Sequence, residues 1–112
     1  MRRLLSTILG IGLLFGLTMA PAVARPRAPF VIKNVSVVNF AFMPRTARIA
    51  RGTTVKWKNN SASTTHTTTS NTGLWNKTLA PGATFSRTFN RAGTFRYHCT
   101  IHPSMTGSIV VS

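Results

Sequence analysis

The residues with the clearest chemical meaning in this chain are Cys99, His102 and Met105, which lie within one stretch of seven positions near its end. Their side chains offer a thiolate, an imidazole and a thioether. Soft sulfur ligands combined with an imidazole select copper over zinc, magnesium or calcium. Cys99 is the only cysteine in the chain, so it cannot form a disulfide within the chain. The spacing therefore indicates a copper site.

A copper site for electron transfer combines one cysteine, two histidines and a weak axial methionine, so a second histidine is needed. The chain has three histidines. His98 directly precedes Cys99 on a predicted strand, where neighbouring side chains point to opposite faces, so we expect His98 to face solvent. His66 remains as the second imidazole ligand. Met43 is an alternative axial ligand, but Met105 has the better spacing.

The charge balance excludes several other kinds of chemistry. The chain has 14 lysines and arginines and no aspartate or glutamate. Without a carboxylate side chain, carboxylate acid-base catalysis, a Ser-His-Asp triad and an oxygen-rich calcium site are all excluded. The positive charge favours an acidic or membrane-bound partner. The basic residues are scattered and form no nucleic-acid motif, so we expect no specific nucleic-acid binding.

The beginning of the chain has the features of an export signal. Two arginines precede an apolar run from Leu4 to Ala20, and small residues up to Ala24 fit a signal-peptidase site. We expect a signal peptide over residues 1–24, with an uncleaved membrane anchor as the alternative. Residues 25–112 then form one exported domain that is periplasmic, at the cell surface or secreted, and that we expect to be a monomer.

Elements that could position the ligands follow from the pattern of apolar residues. Val55 and Trp57 alternate with polar residues, as do Phe95, Tyr97 and Cys99, which is the period of a half-buried strand. Short strands separated by Pro, Gly and Asn predict an all-β fold, an antiparallel Greek-key β-sandwich of about seven to eight strands. The predicted strands cover approximately residues 31–42, 47–50, 54–58, 66–70, 83–89, 94–99 and 108–111.

This architecture explains the spacing of the ligands. Cys99 ends a strand with its side chain on the inward face, at one end of the sandwich. Pro103 favours a turn that brings His102 and Met105 back to the same point. Three ligands therefore come from one short loop, and His66 comes from another part of the chain.

The chain resembles the cupredoxins of the plastocyanin, pseudoazurin and amicyanin group over approximately residues 30–112. The similarity is closest to amicyanin in the ligand loop, where two residues separate His102 from Met105 and where Tyr97-His98-Cys99-Thr100 also matches. The matching segments are Asn39-Phe40-Ala41-Phe42-Met43-Pro44, Gly52-Thr53-Thr54-Val55-Lys56-Trp57-Lys58-Asn59, Pro81-Gly82-Ala83-Thr84-Phe85 and Gly93 to Met105.

The resemblance implies one type 1 copper per chain, which passes single electrons between redox partners by alternating between Cu(II) and Cu(I). The implied copper ligands are His66, Cys99, His102 and Met105. His102 is implied to be the partly exposed ligand through which electrons pass. One position departs from the family pattern: many members have Asn after the first histidine ligand, where its side chain links the two ligand loops, and this chain has Thr67.

Four alternatives bear on function. A binuclear copper site needs a second cysteine, and copper enzymes with a histidine beside the cysteine ligand need several more histidines than this chain has, so we expect no enzyme. A zinc site leaves Met105 unexplained. A copper carrier or buffer without an electron-transfer role is the main alternative to an electron shuttle.

Overall fold

The computed structural model describes residues 30–112. The predicted signal peptide over residues 1–24 lies outside the described residues. The described part consists of nine strands without a helix. The strands are β1 (Ile32–Val38), β2 (Ala41–Met43), β3 (Thr46–Ile49), β4 (Thr53–Asn59), β5 (His66–Ser70), β6 (Asn76–Leu79), β7 (Thr84–Phe89), β8 (Gly93–His98) and β9 (Thr106–Val111).

The strands form two sheets, which confirms the predicted all-β sandwich. One sheet has the order β2-β1-β4-β7, and the other has the order β3-β9-β8-β5-β6. Both sheets are mixed, because β1 pairs with β4 in parallel and β3 pairs with β9 in parallel. The expectation of purely antiparallel pairing is wrong for these two pairs. Between β1 and β4 the chain crosses to the other sheet, where it forms β3, and then returns. Strand β4 therefore runs beside β1 in the same direction.

Nine strands are present where seven to eight were predicted. The predicted strand over residues 31–42 is two strands, because the chain turns at Asn39 and Phe40 without a Gly or Pro to mark the turn. The short polar strand β6 was not predicted, since it has no apolar alternation and forms by pairing with β5 at the edge of the sheet. The Asn39–Phe40 and Met43–Pro44 peptide bonds are cis.

An aromatic cluster fills the space between the sheets. Trp57 is fully buried and lies 5.6 Å from Trp75, 5.8 Å from Phe85 and 5.5 Å from Tyr97, measured between ring centroids. The predicted inward positions of Trp57, Tyr97 and Cys99 are confirmed by their burial. Burial of a large apolar side chain stabilises a fold by about 1.5–3 kcal/mol. This cluster supports the ends of the strands that carry the candidate ligands.

No helix within residues 30–112 combines the length and the apolar character needed to cross a bilayer. The residues of chemical interest instead lie where strands begin or end. His66 is the first residue of β5, Cys99 directly follows β8, and Met105 directly precedes β9. The antiparallel register of β8 with β9 pairs His98 with Thr106, so the loop between these strands begins and ends at the same end of the sandwich.

Candidate metal centre

Three of the four predicted ligands meet at one end of the sandwich. Ligand atoms of His66, Cys99 and His102 all lie within 4.8 Å of one another. The Sγ of Cys99 is 3.9 Å from the Nδ1 of His66 and 3.7 Å from the Nδ1 of His102. His66 and Cys99 are buried and His102 is partly exposed. Two imidazole nitrogens and one sulfur thus face a common point.

The loop from Cys99 to Met105 is closed by its own backbone. The N–H of Cys99 donates to the carbonyl of Met105 at 3.0 Å, and the N–H of Met105 donates to the carbonyl of His102 at 2.8 Å. These bonds hold the sulfur-bearing residues at the two ends of the loop side by side. Met105 is only 2% exposed, whereas the alternative axial residue Met43 is 57% exposed. Of the two methionines, burial favours Met105.

Thr67 links the two segments that carry the candidate ligands. Its backbone N–H donates to the Sγ of Cys99 at 3.3 Å, and its hydroxyl accepts a hydrogen bond from the N–H of Thr100 at 2.8 Å. The hydroxyl of Thr67 also lies 3.2 Å from that of Thr100. With Thr67 in place of the Asn found in many family members, the two ligand segments are still linked. The hydroxyl of Thr67 makes the link that the Asn side-chain amide makes in those proteins. An N–H bond to a thiolate also stabilises its negative charge.

The buried side chain of Asn59 organises the loop that leads to His66. From the sequence, Asn59 was identified only as a residue at the end of a strand. The amide nitrogen of Asn59 donates to the carbonyls of Thr64 and Leu79, each at 2.8 Å. Its Oδ1 accepts a hydrogen bond from the N–H of Ser61 at 2.9 Å. Because a buried amide requires such partners, Asn59 fixes the loop between β4 and β5.

The turn between β1 and β2 contributes two further residues that the sequence did not identify as part of a site. The ring of Phe40 lies 4.8 Å from that of His102 in an edge-on arrangement. The Oδ1 of Asn39 lies 2.8 Å from the Nε2 of His66. The only signal in the sequence was that both residues belong to a segment similar to the family pattern, which assigned them no role.

His98 lies outside this cluster, as the strand periodicity predicted. Its side chain is on the outer face of β8, where its Nδ1 lies 2.6 Å from the Oδ1 of Asn71. His98 is not among the residues whose ligand atoms converge in the described part of the chain. Adjacent residues of a strand point to opposite faces, which explains why His98 and Cys99 separate.

The electrostatics of the site favour neutral imidazole on His66. The pKa of His66 is lowered from 6.5, first because burial removes water from the charged ring and second because His102 lies close by. A metal ligand must be in this neutral form. The chain has no acidic side chain that could stabilise a charged imidazole.

We expect the metal-free chain to lose stability as the pH falls through 6.5. A histidine whose pKa is lower in the folded state binds its proton more weakly there, so the unfolded state takes up more protons below pH 6.5 and the free energy of unfolding decreases. Urea unfolding between pH 8 and pH 4 measures this loss. His66→Gln should reduce the pH dependence and the control His98→Gln should retain it. An equal slope in both variants contradicts this origin.

The surface at this end of the molecule is apolar, with the cation of Arg45 beside it. Phe40 is 62% exposed and its ring lies against that of His102. Ile101, which directly precedes His102 in the chain, is 50% exposed. The guanidinium of Arg45 donates to the hydroxyl of Thr106 at 3.0 Å. Because the chain has no Asp or Glu, its lysines and arginines form no ion pairs with acidic side chains of their own chain.

The donor set fits copper. Two imidazoles and one thiolate, with a buried thioether on the loop that carries Cys99 and His102, are soft and borderline ligands, whereas calcium and magnesium require oxygen ligands. The thiol is fully buried, and a nitrogen of each of two histidine rings lies less than 4 Å from its sulfur. A cysteine that only fills an apolar core would instead be surrounded by apolar side chains. The residues present match the preferences of one copper ion.

Comparison with known proteins agrees with this chemistry. A family model described as a cupredoxin-like domain matches residues 7–111. A purple cupredoxin from Nitrosopumilus maritimus is similar to this chain at 26% identity, with a TM-score of 0.64, over 70% of this chain and 98% of its own. A reduced amicyanin variant is similar at 27% identity, with a TM-score of 0.63, over 74% and 82% of the two chains.

A third similar structure is a copper-containing nitrite reductase from Thermus scotoductus, at 26% identity and a TM-score of 0.67. The similarity covers 84% of this chain but only 25% of the nitrite reductase chain. It therefore concerns one domain of that larger protein. By contrast, the similarity covers 98% of the purple cupredoxin chain and 82% of the amicyanin chain.

Proposed function

Because the chain belongs to the cupredoxin-like family and is similar to amicyanin, we propose that it is a mononuclear blue copper protein that shuttles single electrons between redox partners. One type 1 copper per chain is supported by the fold and by the donor set. The proposed ligands are His66, Cys99, His102 and Met105. The bound metal supplies one-electron chemistry by alternating between Cu(II) and Cu(I).

The observation that carries the proposal is the convergence of a buried thiol and two imidazoles within 4.8 Å, beside a buried methionine on the same loop. A thiolate with two histidines and a weak thioether is the ligand set of electron-transfer copper sites. Other arrangements of these residue types, such as a zinc site, do not use the methionine.

The chain's own residues hold this site in one geometry. Thr67 donates to the sulfur and links the two ligand segments, and the backbone bonds between Cys99 and Met105 close the loop. Burial of His66 and Cys99 keeps water away from the sulfur. A rigid, water-excluded site moves little when its charge changes by one, which favours fast electron transfer.

Electrons are proposed to enter and leave through the partly exposed ring of His102. Phe40 lies against this ring, and Phe40 and the neighbouring Ile101 expose apolar surface, which suits a small and transient contact. Arg45 lies near the same end, and its cation favours an acidic or membrane-bound redox partner. We propose that the protein is a monomer that binds such partners weakly and binds no specific nucleic acid.

We propose no enzymatic role for this chain. A further copper site of the kind found in copper enzymes needs more histidines than the three present. His98, the histidine beside Cys99, contacts Asn71. The similarity to the nitrite reductase covers only a quarter of the nitrite reductase chain.

We also propose that the protein is exported through a signal peptide over residues 1–24, and that residues 25–112 form the exported domain.

Loading the metal-free protein with Cu(II) tests this function. We expect an intense visible charge-transfer band at one copper per chain, narrow copper hyperfine splitting in electron paramagnetic resonance, and a reversible one-electron wave in voltammetry. The absence of a visible band contradicts a thiolate-bound copper. A visible band accompanied by loss of copper on reduction contradicts a shuttle and supports the carrier alternative.

A further inference from the structure

The nitrogen of His66 that faces away from the candidate ligands has its own partners. Its Nε2 lies 2.8 Å from the Oδ1 of Asn39 and 3.0 Å from the Oγ of Ser61. The other ring nitrogen, Nδ1, faces the sulfur of Cys99 at 3.9 Å. His66 therefore lies between a sulfur on one side and a polar pair, Asn39 and Ser61, on the other.

The amide of Asn39 lies between two hydroxyl groups, with its nitrogen towards Thr64 and its oxygen towards Ser61. Its nitrogen donates to the hydroxyl of Thr64 at 3.2 Å, and its oxygen accepts a hydrogen bond from the hydroxyl of Ser61 at 3.1 Å. In this orientation the oxygen of Asn39 faces His66, and an amide oxygen can only accept a hydrogen bond. Nε2 must then carry the hydrogen and donate it, which leaves the lone pair on Nδ1.

We propose that Asn39, assisted by Ser61, is a positioning residue for His66. The pair selects the tautomer with hydrogen on Nε2 and fixes the plane of the ring, so that the lone pair of Nδ1 is directed to the point shared with Cys99. Neither residue touches that point. The tautomer is a property of the metal-free chain, whereas what binds to Nδ1 rests on the proposed function.

The position of Asn39 makes this arrangement specific to the fold. Asn39 lies in the turn between β1 and β2, and Ser61 lies in the loop before β5, so the contact joins segments more than 20 residues apart. Ser61 is itself held by the buried side chain of Asn59, to which its N–H donates. The orientation of His66 thus depends, through Ser61, on the buried side chain of Asn59 in the loop that leads to β5.

The neutral amide also affects the electronic character of the imidazole. Partners of the second nitrogen raise the basicity of a histidine ligand, and a carboxylate does so more strongly than an amide. Asn39→Asp keeps the acceptor and adds a negative charge next to the ring. We therefore expect this variant to retain the tautomer and to lower the reduction potential of the copper-loaded protein.

The first experiment uses the full chain without metal. Long-range proton–nitrogen correlation spectra of the three histidines at pH 8 should show hydrogen on Nε2 of His66. Asn39→Leu should shift the ring toward a mixture of tautomers, Ser61→Ala should do so less, and Asn39→Asp should retain the original form. Asn60→Leu is the matched control, since the side chain of Asn60 donates to the hydroxyl of Ser36 at the surface and has no contact with His66 among the described hydrogen bonds.

Hydrogen on Nδ1 of His66 in the unaltered chain overturns the proposal, as does an unchanged tautomer in both Asn39→Leu and Ser61→Ala. If Asn39→Leu fails to fold, Ser61→Ala and Asn39→Asp still give the decisive spectra. In the copper-loaded protein we expect Asn39→Leu to weaken copper binding by about 10–100-fold. A correct tautomer in a chain that forms no blue copper site refutes the proposed function and leaves the positioning role standing.

Discussion

Replacing Cys99 with Ala is expected to abolish the visible charge-transfer band of the copper-loaded protein completely. The band requires a sulfur-to-copper bond, and Cys99 is the only thiol in the chain. Its Sγ lies less than 4 Å from the Nδ1 atoms of both His66 and His102, so no other residue can replace it at their centre. Absorption and paramagnetic resonance spectra after addition of one equivalent of Cu(II) measure this loss.

The matched control for this substitution is His98→Ala. His98 is the neighbour of Cys99 in sequence but faces the outside and contacts Asn71, so its removal should leave the band in place. His66→Ala should behave like Cys99→Ala. Thermal unfolding of each metal-free variant separates loss of the ligand from loss of the fold. Bleaching by His98→Ala together with a normal band in His66→Ala would show that the ligand assignment is wrong.

Introducing a single methyl group at Gly107 is expected to destabilise the protein by about 3 kcal/mol, a large effect for overpacking of a core. Gly107 lies opposite Tyr97 in the pairing of β8 with β9. A Cβ atom at Gly107 would come within 2.6 Å of the hydroxyl oxygen of Tyr97 and within 2.9 Å of its Cε1. Non-bonded atoms do not come this close to a Cβ atom, so the Tyr97 ring or strand β9 must move.

The ring of Tyr97 has no free space into which to move. Its centroid lies 4.6 Å from that of Phe42 and 5.5 Å from that of Trp57, and its side chain is fully buried. Burial also raises the pKa of Tyr97 to about 12, so the hydroxyl stays neutral at any ordinary pH. The loss of about 3 kcal/mol is a substantial part of the 5–15 kcal/mol that stabilises a typical domain.

Urea unfolding of metal-free Gly107→Ala measures this effect. Ser108→Ala is the control, because Ser108 is the next residue of β9 and is only partly buried. If the contact with Tyr97 is the cause, then Tyr97→Leu should make Gly107→Ala less costly, and the two substitutions should not be additive. Equal stability of Gly107→Ala and the unaltered protein would contradict the overpacking argument.

Much of this protein follows from local sequence pattern. The side chains of a strand alternate between its faces, so the inward direction of Cys99 and Tyr97 and the outward direction of His98 were predictable from one strand alone. The spacing of Cys99, His102 and Met105 within one loop likewise defines a set of ligand types without knowledge of the fold. The all-β class follows from the same alternation repeated between turns.

Other features depend on which segments pair, and local pattern does not determine pairing. The parallel pairs of strands, the edge strand β6 and the hydrogen bond from Thr100 to Thr67 arise from contacts across the sandwich. The contact of Asn39 with His66 is of the same kind, since it joins a turn to the first residue of β5, 27 positions away.

The sequence by itself determined the chemistry available to this protein: the number and type of candidate ligands, the absence of carboxylates and the faces of its strands. Only the tertiary structure decided the orientation of each ligand and the partners that hold it. The physical reason is that residue type and strand periodicity are local properties, whereas the direction of an imidazole lone pair depends on hydrogen bonds from distant segments that the packing of two sheets brings together.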